Sequence, residues 1–256
     1  MNLVVDAGNS RLKWAFAEGD TLHGHGECAL RNDPDGAVRA LLAAVTAPVA
    51  RMLVANVAGP WIGGALERSA SRLARRPAEF VRTRARCAGL ECLYADPSQL
   101  GVDRWLAVLA AHCEGLGPAV IVDAGTAATV DALTGDGRHL GGWIVPGVEM
   151  MAASLYRETS DIPRTQSEAL PGRGADAFGR STVDGVWFGA RWALAGAVER
   201  AVSELADEAG SAPAVVLTGG GAPHVAPCLD QVVIRRPYLV LEGLARVAVV
   251  DEAAHA

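Results

Sequence analysis

Apolar positions follow two rhythms along the chain: short continuous runs that stop at glycine or acidic residues, and longer stretches at helical spacing. Residues 3–5 are too apolar for a half-exposed strand and too few for a helix, so they are predicted as a central strand. Residues 12–17 are predicted as a second strand, with a turn at Glu18-Gly19-Asp20 and a third strand behind it. Asp33-Pro34-Asp35-Gly36 is turn chemistry, and residues 37–46 behind it are helical. Residues 51–57 form another buried strand and residues 61–76 another helix.

The same order returns in the second half. Residues 119–123 are a strand, and residues 126–133 and 139–145 continue the sheet around Thr134-Gly135-Asp136-Gly137. Residues 147–159 are helical. A long helix runs from about 182 to 209, with Val186, Trp187, Ala190, Ala193, Leu194, Ala197 and Val198 at helical spacing. Residues 214–217 form a strand that meets Gly219-Gly220-Gly221, and a last helix covers 239 to about 252. Each half reads strand, Asp-x-Gly turn, hairpin, helices, which is an internal duplication and not a short-period solenoid. The predicted class is α/β: two duplicated lobes, each a mixed sheet with flanking helices, facing one another across a cleft, a favoured ligand location. The joint is expected at residues 90–101, followed by a helix over 103–113. The lobes are then residues 1–100 and 101–256. Residues 163–174, with their prolines and glycines, read as a mobile loop.

Composition narrows the function classes. Half of the 256 residues are hydrophobic, ample for a buried core. The net charge is -6 with both signs scattered. No basic block and few aromatics mean that nothing asks for nucleic acid or an anionic membrane. The five cysteines are an odd number without Cys-x-x-Cys, so a reducing cytoplasm fits better than a disulfide framework or a zinc site. His23-Gly24-His25 is the only close histidine pair, and an exposed loop or strand accounts for it better than a metal. No signal peptide and no transmembrane helix are expected.

Three glycine elements carry candidate chemistry. In Asp6-Ala7-Gly8-Asn9-Ser10, with Lys13 behind it, Gly8 lets the backbone approach a ligand, and the polar residues after it can point at phosphate oxygens. Asp6, at a strand end, can orient a hydrated Mg²⁺, which takes few protein ligands. The plain alternative is a tight hairpin turn. Asp123-Ala124-Gly125-Thr126 repeats the pattern, and a turn rarely needs the same chemistry twice. Gly219-Gly220-Gly221 reads as a strand-to-helix turn able to hold an adenosine or a phosphate at a helix N-terminus. Neither the dinucleotide fingerprint nor a Walker sequence is present.

Two Asp-x-Gly hairpins in duplicated lobes with a late Gly-Gly turn resemble the acetate kinase, sugar kinase, Hsp70 and actin superfamily, whose lobes are ribonuclease H-like. Within it, five motifs in order resemble type III pantothenate kinases. They are Asp6 to Lys13, Tyr94, Gly101-Val102-Asp103-Arg104, Asp123-Ala124-Gly125-Thr126-Ala127, and Gly141-Gly142-x-Ile144-x-Pro146-Gly147. The resemblance spans Asp6 to about Gly243. It implies ATP-dependent phosphorylation of pantothenate to 4'-phosphopantothenate, the first step towards coenzyme A, in a cytoplasmic homodimer.

The resemblance also implies roles. Asp6, Ala7, Gly8, Asn9, Ser10, Arg11, Leu12 and Lys13 would bind the ATP phosphates, with Asp6 steering Mg²⁺ through water. Gly101, Val102, Asp103 and Arg104 would bind pantothenate, with Arg104 near its carboxylate and Asp103 the general base on its hydroxyl. Tyr94 would line that pocket. Asp123 would help hold a monovalent cation, K⁺ or NH₄⁺, and Thr126 would contact ATP. Thr182 would reach pantothenate in the partner subunit. Read alone, Asp103 is equally a first-turn acid, Arg104 a surface ion pair, Tyr94 a half-buried aromatic, Trp105 a core residue and Thr182 a helix N-cap. Ser10 stands where the family often has Thr, and Ser181 where Asn is common. Two other functions stay open: a non-enzymatic regulatory factor on the same scaffold, and a related small-molecule kinase that differs only in the pocket from Tyr94 to Arg104.

Overall fold

A computed structural model of the chain describes residues 1–159, 162 and 164–254. In chain order the elements are β1 (Asn2–Ala7), β2 (Arg11–Glu18), β3 (Thr21–Ala29), α1 (Pro34–Ala44), β4 (Met52–Asn56), α2 (Pro60–Leu73), β5 (Glu79–Phe80), β6 (Arg86–Cys87), β7 (Leu90–Cys92) and α3 (Val102–Cys113). They continue as β8 (Ala119–Ala124), β9 (Ala127–Leu133), β10 (Arg138–Pro146), α4 (Val148–Glu158), α5 (Thr182–Ala209), β11 (Ala214–Thr218), α6 (Ala222–Val225), β12 (Val233–Arg235) and α7 (Leu239–Ala254).

The chain divides into two compact units, Met1–Gly115 with Tyr238–Ala256, and Leu116–Pro237. This differs from the partition expected after residue 100. The reason lies in α3 and α7. Helix α3 is buried on nearly every side from Arg104 to Ala111, as a helix inside a core must be. Helix α7 packs along it and is tied back to the first unit by ion pairs. Arg51 bridges Glu79 at 2.6 Å and Glu252 at 3.1 Å, and Arg84 grips Asp251 with two bonds of 2.7 and 2.8 Å. Neither helix separates from the N-terminal sheet. The expected joint at 90–101 holds β7 and a single 3-10 turn within the first unit.

In the first unit the strand order is β3-β2-β1-β4-β5. Strand β1 lies at its centre, antiparallel to β2 and parallel to β4. Both of its neighbours satisfy its backbone, so a run without polar alternation is what the position demands. Leu3, Val5, Leu12 and Trp14 enter one core with Leu41 and Leu66 from the helices. The Asp33-Pro34-Asp35-Gly36 stretch, expected as a turn, is the start of α1. The Asp33 side chain accepts the Gly36 N–H at 2.8 Å, and Pro34 occupies the first helical turn, where its missing N–H costs nothing.

In the second unit, β8 to β12 stand in the order β12-β11-β8-β9-β10. Strand β8 is antiparallel to β9 and parallel to β11. That is the first unit's plan again: strands three, two, one, four, five. The duplication extends to burial. β1 and β8 share one inside-outside pattern residue by residue, and so do β2 and β9 over their common length. Ala128, Val130, Val215 and Leu217 pack against Trp187, Leu194 and Val198 of α5, which begins and ends where the spacing predicts.

All five cysteines are free. His23 and His25 lie on the exposed strand β3, and no cluster of three metal-ligating side chains occurs among the described residues. Among those residues no helix is long and apolar enough to cross a membrane. Of the segment expected as a mobile loop, Pro163 lies outside the described residues. The rest runs beside α5 without regular structure up to a 3-10 turn at Gly174–Ala177.

Candidate active site

In the first unit, Asp6 is the penultimate residue of β1, partly exposed beyond four buried residues. Its cross-strand partner is Lys13, so the sheet register itself sets an acid beside a base at the mouth of the turn. The turn is braced at both ends. The Gly8 N–H donates to the Arg11 carbonyl at 3.1 Å, and the Leu30 N–H donates to the Ser10 carbonyl at 2.9 Å. Asn9 is exposed and Ser10 partly so. Ala7 and Leu12 point into the core, which leaves only their backbone for a ligand. Arg11 pairs with Glu27 at 2.6 Å across β2 and β3, with both side chains in solvent. Beside Lys13 lies Tyr238, its ring centroid 6.0 Å from the ammonium, with His25 stacked on it at 4.1 Å. No local pattern announces that neighbour, because it enters from the far end of the chain.

Also in the first unit, Gly101 caps α3 and Asp103 sits in its first turn, where the unpaired N–H groups favour an anion. Asp103 Oδ1 accepts the Arg104 N–H at 2.8 Å, which fixes the carboxylate's orientation. A Cβ at residue 101 would stand 2.7 Å from that oxygen, so glycine is what leaves room for it. Arg104 is only 7% exposed, which excludes the surface ion pair allowed by its sequence context. Its guanidinium donates to the Tyr94 hydroxyl at 3.1 Å and lies 6.0 Å from that ring's centroid. Tyr94 and Arg104, proposed for one pocket, are thus in contact. Trp105 is fully buried, as expected of a core residue.

In the second unit, Asp123 takes the place in β8 that Asp6 takes in β1, and Thr126 lies in the turn just before β9. The glycines converge here. The Gly147 N–H donates to the Thr126 carbonyl at 3.0 Å, and the Gly221 N–H donates to the Ala124 carbonyl at 2.8 Å. Gly219 has φ +89°, and a Cβ on it would stand 2.3 Å from Asp123 Oδ1. The triplet, read as a strand-to-helix turn able to hold an adenosine or a phosphate, lies against the second Asp-x-Gly turn through Gly219 and Gly221. The helix after it, α6, has four residues, too short for a useful dipole. Thr182, expected as a possible N-cap, is the exposed first residue of α5. Ser181 is the cap, its hydroxyl accepting the Asp184 N–H at 3.1 Å.

These residues fit the groups that the resemblance implies. Asp6 offers carboxylate oxygens, the donors that suit Mg²⁺ with most of its waters retained. The braced turn with Lys13 suits a phosphate. Asp123, in the space that Gly219 leaves for its carboxylate, suits a cation that prefers oxygen.

The family model of type III pantothenate kinase matches residues 2–204. A type III pantothenate kinase of Thiobacillus denitrificans is 38% identical over 252 residues, covering 96% of each chain. Among solved structures, a Baf family transcriptional activator from Campylobacter jejuni superposes with TM-score 0.59 at 20% identity, over 99% of this chain and 100% of that one. An activator of 2-hydroxyisocaproyl-CoA dehydratase from Clostridium difficile, with bound ADPNP, superposes with TM-score 0.57 at 14% identity, over 99% and 96%. At those identities the two structures share the fold with this chain.

Proposed function

The chain belongs to the type III pantothenate kinase family, and from that premise we propose residue by residue how it works. The reaction is ATP-dependent phosphorylation of pantothenate, in coenzyme A biosynthesis, with a divalent metal accompanying ATP. The pantothenate hydroxyl oxygen forms the new bond to the γ-phosphorus. The bond from that phosphorus to the β,γ-bridging oxygen breaks, and ADP leaves. Asp103 takes the hydroxyl proton. Arg104 binds the pantothenate carboxylate, a pairing for which a guanidinium is suited, and Tyr94 holds Arg104 in position while lining the pocket. Gly101 and Val102 complete that wall.

The braced turn from Asp6 to Lys13 receives the ATP phosphates, chiefly through the Gly8 to Ser10 backbone and the Lys13 ammonium. Asp6 would hold Mg²⁺ through water, and the metal would supply neutralisation of phosphate charge. Thr126 contacts ATP, and Asp123 would hold K⁺ or NH₄⁺. Thr182 reaches pantothenate in a partner subunit, which makes the active enzyme a homodimer.

The observation that carries this reading is on α3. A carboxylate with a fixed orientation stands next to a buried guanidinium that donates to the Tyr94 hydroxyl. Phosphoryl transfer needs chiefly positioning and charge neutralisation, with a carboxylate to accept the proton, and this arrangement supplies the acceptor half. A coupled assay following ADP release is expected to show turnover that requires pantothenate and rises severalfold when K⁺ replaces Na⁺. No pantothenate-dependent turnover would overturn the whole assignment, whereas indifference to the cation would overturn the role of Asp123 alone. Light scattering at assay concentration is expected to give a dimer. A fully active monomer would remove Thr182 from the substrate site.

A further inference from the structure

Helix α5 carries an unusual set of polar side chains on a largely buried face. Asp184, Trp187 and Arg191 fall within one side of the helix at 100° per residue, and Thr182 falls on the opposite side. All three face residues 165–169, which precede α5, and all three are used to hold them. The Trp187 indole N–H donates to the Thr165 carbonyl at 3.0 Å, and the Tyr156 hydroxyl of α4 donates to the same oxygen at 2.8 Å. Arg191, 2% exposed, donates to the Ser167 carbonyl at 3.0 Å and to the Ala169 carbonyl. Its guanidinium also lies over the Trp187 ring at 5.8 Å. A buried guanidinium whose two terminal nitrogens donate to backbone carbonyls fixes the path of the residues that supply them.

Asp184 makes the link from that segment to the helix end. Its Oδ1 accepts from the Ser167 hydroxyl at 2.7 Å and its Oδ2 from the Ser181 hydroxyl at 2.7 Å, while Ser181 caps the Asp184 N–H. Those bonds, from Ser167 first and Ser181 second, hold the carboxyl below the ordinary carboxylate range, so the acceptor is anionic and the bonds are charge-assisted. The residue between Ser181 and the rest of the helix is Thr182. A cap on Ser181 alone would set only the backbone of the first turn. The second bond, to a residue 17 positions away in sequence, ties the turn to residues whose carbonyls Arg191 and Trp187 already bond.

We propose that Asp184 is a positioning residue for pantothenate: by bridging Ser167 to the Ser181 cap it sets where the first turn of α5 presents the Thr182 hydroxyl. The inference rests on the assignment of Thr182 to the substrate. It adds that residues 165–169 govern acceptor affinity from a distance. Asp184→Ala is expected to raise KM for pantothenate about tenfold, with kcat and KM for ATP within about twofold, since a hydrogen bond to a charged group is lost on each side of the bridge. Ser167→Ala removes only the far side and leaves the cap intact. It is expected to raise the same KM about threefold, and the double variant to be no worse than Asp184→Ala. Asp184→Asn, which keeps the shape and can bond both hydroxyls, is expected to recover most of the affinity.

The result that overturns the proposal is a lower melting temperature in Asp184→Ala and Ser167→Ala with KM for pantothenate unchanged, which would make the bridge structural only. Thr182→Ala separates the two layers. If it raises KM while the bridge variants do not, the bridge has no part in binding. If it leaves KM unchanged, the substrate assignment of Thr182 fails and the proposal falls with it.

Discussion

Asp103→Asn is expected to lower kcat by about 10²–10⁴-fold, the range for loss of a positioned general base. The substitution isolates that role. Asparagine has the same shape, and its carbonyl can still accept the Arg104 N–H that Oδ1 accepts at 2.8 Å. Gly101 leaves the same room for it. The first turn of α3 therefore keeps its geometry, and Arg104 keeps its bond to Tyr94. The capacity to take a proton and a negative charge beside the acceptor is lost. Thermal unfolding should stay within a few degrees of the parent, and KM for ATP should hardly change. Asp103→Ala would not separate these effects, because it also removes the bond within the helix turn. Steady-state kinetics with pantothenate and ATP decide the matter. Turnover close to the parent in the asparagine variant would mean that Asp103 is a first-turn acid and nothing more.

The fold is legible where pattern and length speak together. β1 and β8 show as apolar runs cut off by Asp-x-Gly, and α5 shows as helical spacing sustained over 28 residues. The two-residue β5 and β6 and the three-residue β7 and β12 carry no readable period, because so few residues complete no alternation. The Asp33 to Gly36 stretch reads as a turn and folds as a helix start because cap and turn use the same chemistry. Aspartate accepting an N–H three residues on fits both, and only the conformation of the residues after it decides between them. The unit boundary is illegible for another reason. α7 returns to α3 from the far end of the chain, a pairing that no local pattern contains. At the candidate site, Asp103 and Arg104 stand out through their motif. The burial of Arg104 and its contact with Tyr94 ten residues earlier need the fold. The Gly219 triplet is visible as a signal, but its contact with the second Asp-x-Gly turn needs the fold. Gly219 and Gly221 are explained by the groups against them, Asp123 and Ala124.

That contact yields the second large effect. Gly219→Ala is expected to destabilise the protein by about 2–4 kcal/mol, adding a strained backbone conformation to a steric clash. The φ of +89° is one that an L side chain rarely adopts, and the new Cβ would stand 2.3 Å from Asp123 Oδ1 and 2.6 Å from the Ala124 carbonyl carbon and oxygen. The backbone of Ala124 cannot give way easily. It is paired with Ala128 on β9, and its carbonyl accepts the Gly221 N–H at 2.8 Å. The Asp123 carboxylate must therefore move, so, on the cation role proposed for Asp123, any response to K⁺ should be lost along with stability. For a chain of this size the melting temperature should fall by about 5–15 °C. The triplet contains its own control. Gly220 has no atom within 4 Å of its hypothetical Cβ and no positive φ, so Gly220→Ala should unfold within about 0.5 kcal/mol of the parent. Asp123→Asn provides the other comparison, removing the charge while leaving the turn's packing intact. It should lose the response to K⁺ with little change in melting temperature. If Gly219→Ala melts like Gly220→Ala and keeps its response to K⁺, the glycine is not there to make room for Asp123, and the cation site has to be sought elsewhere.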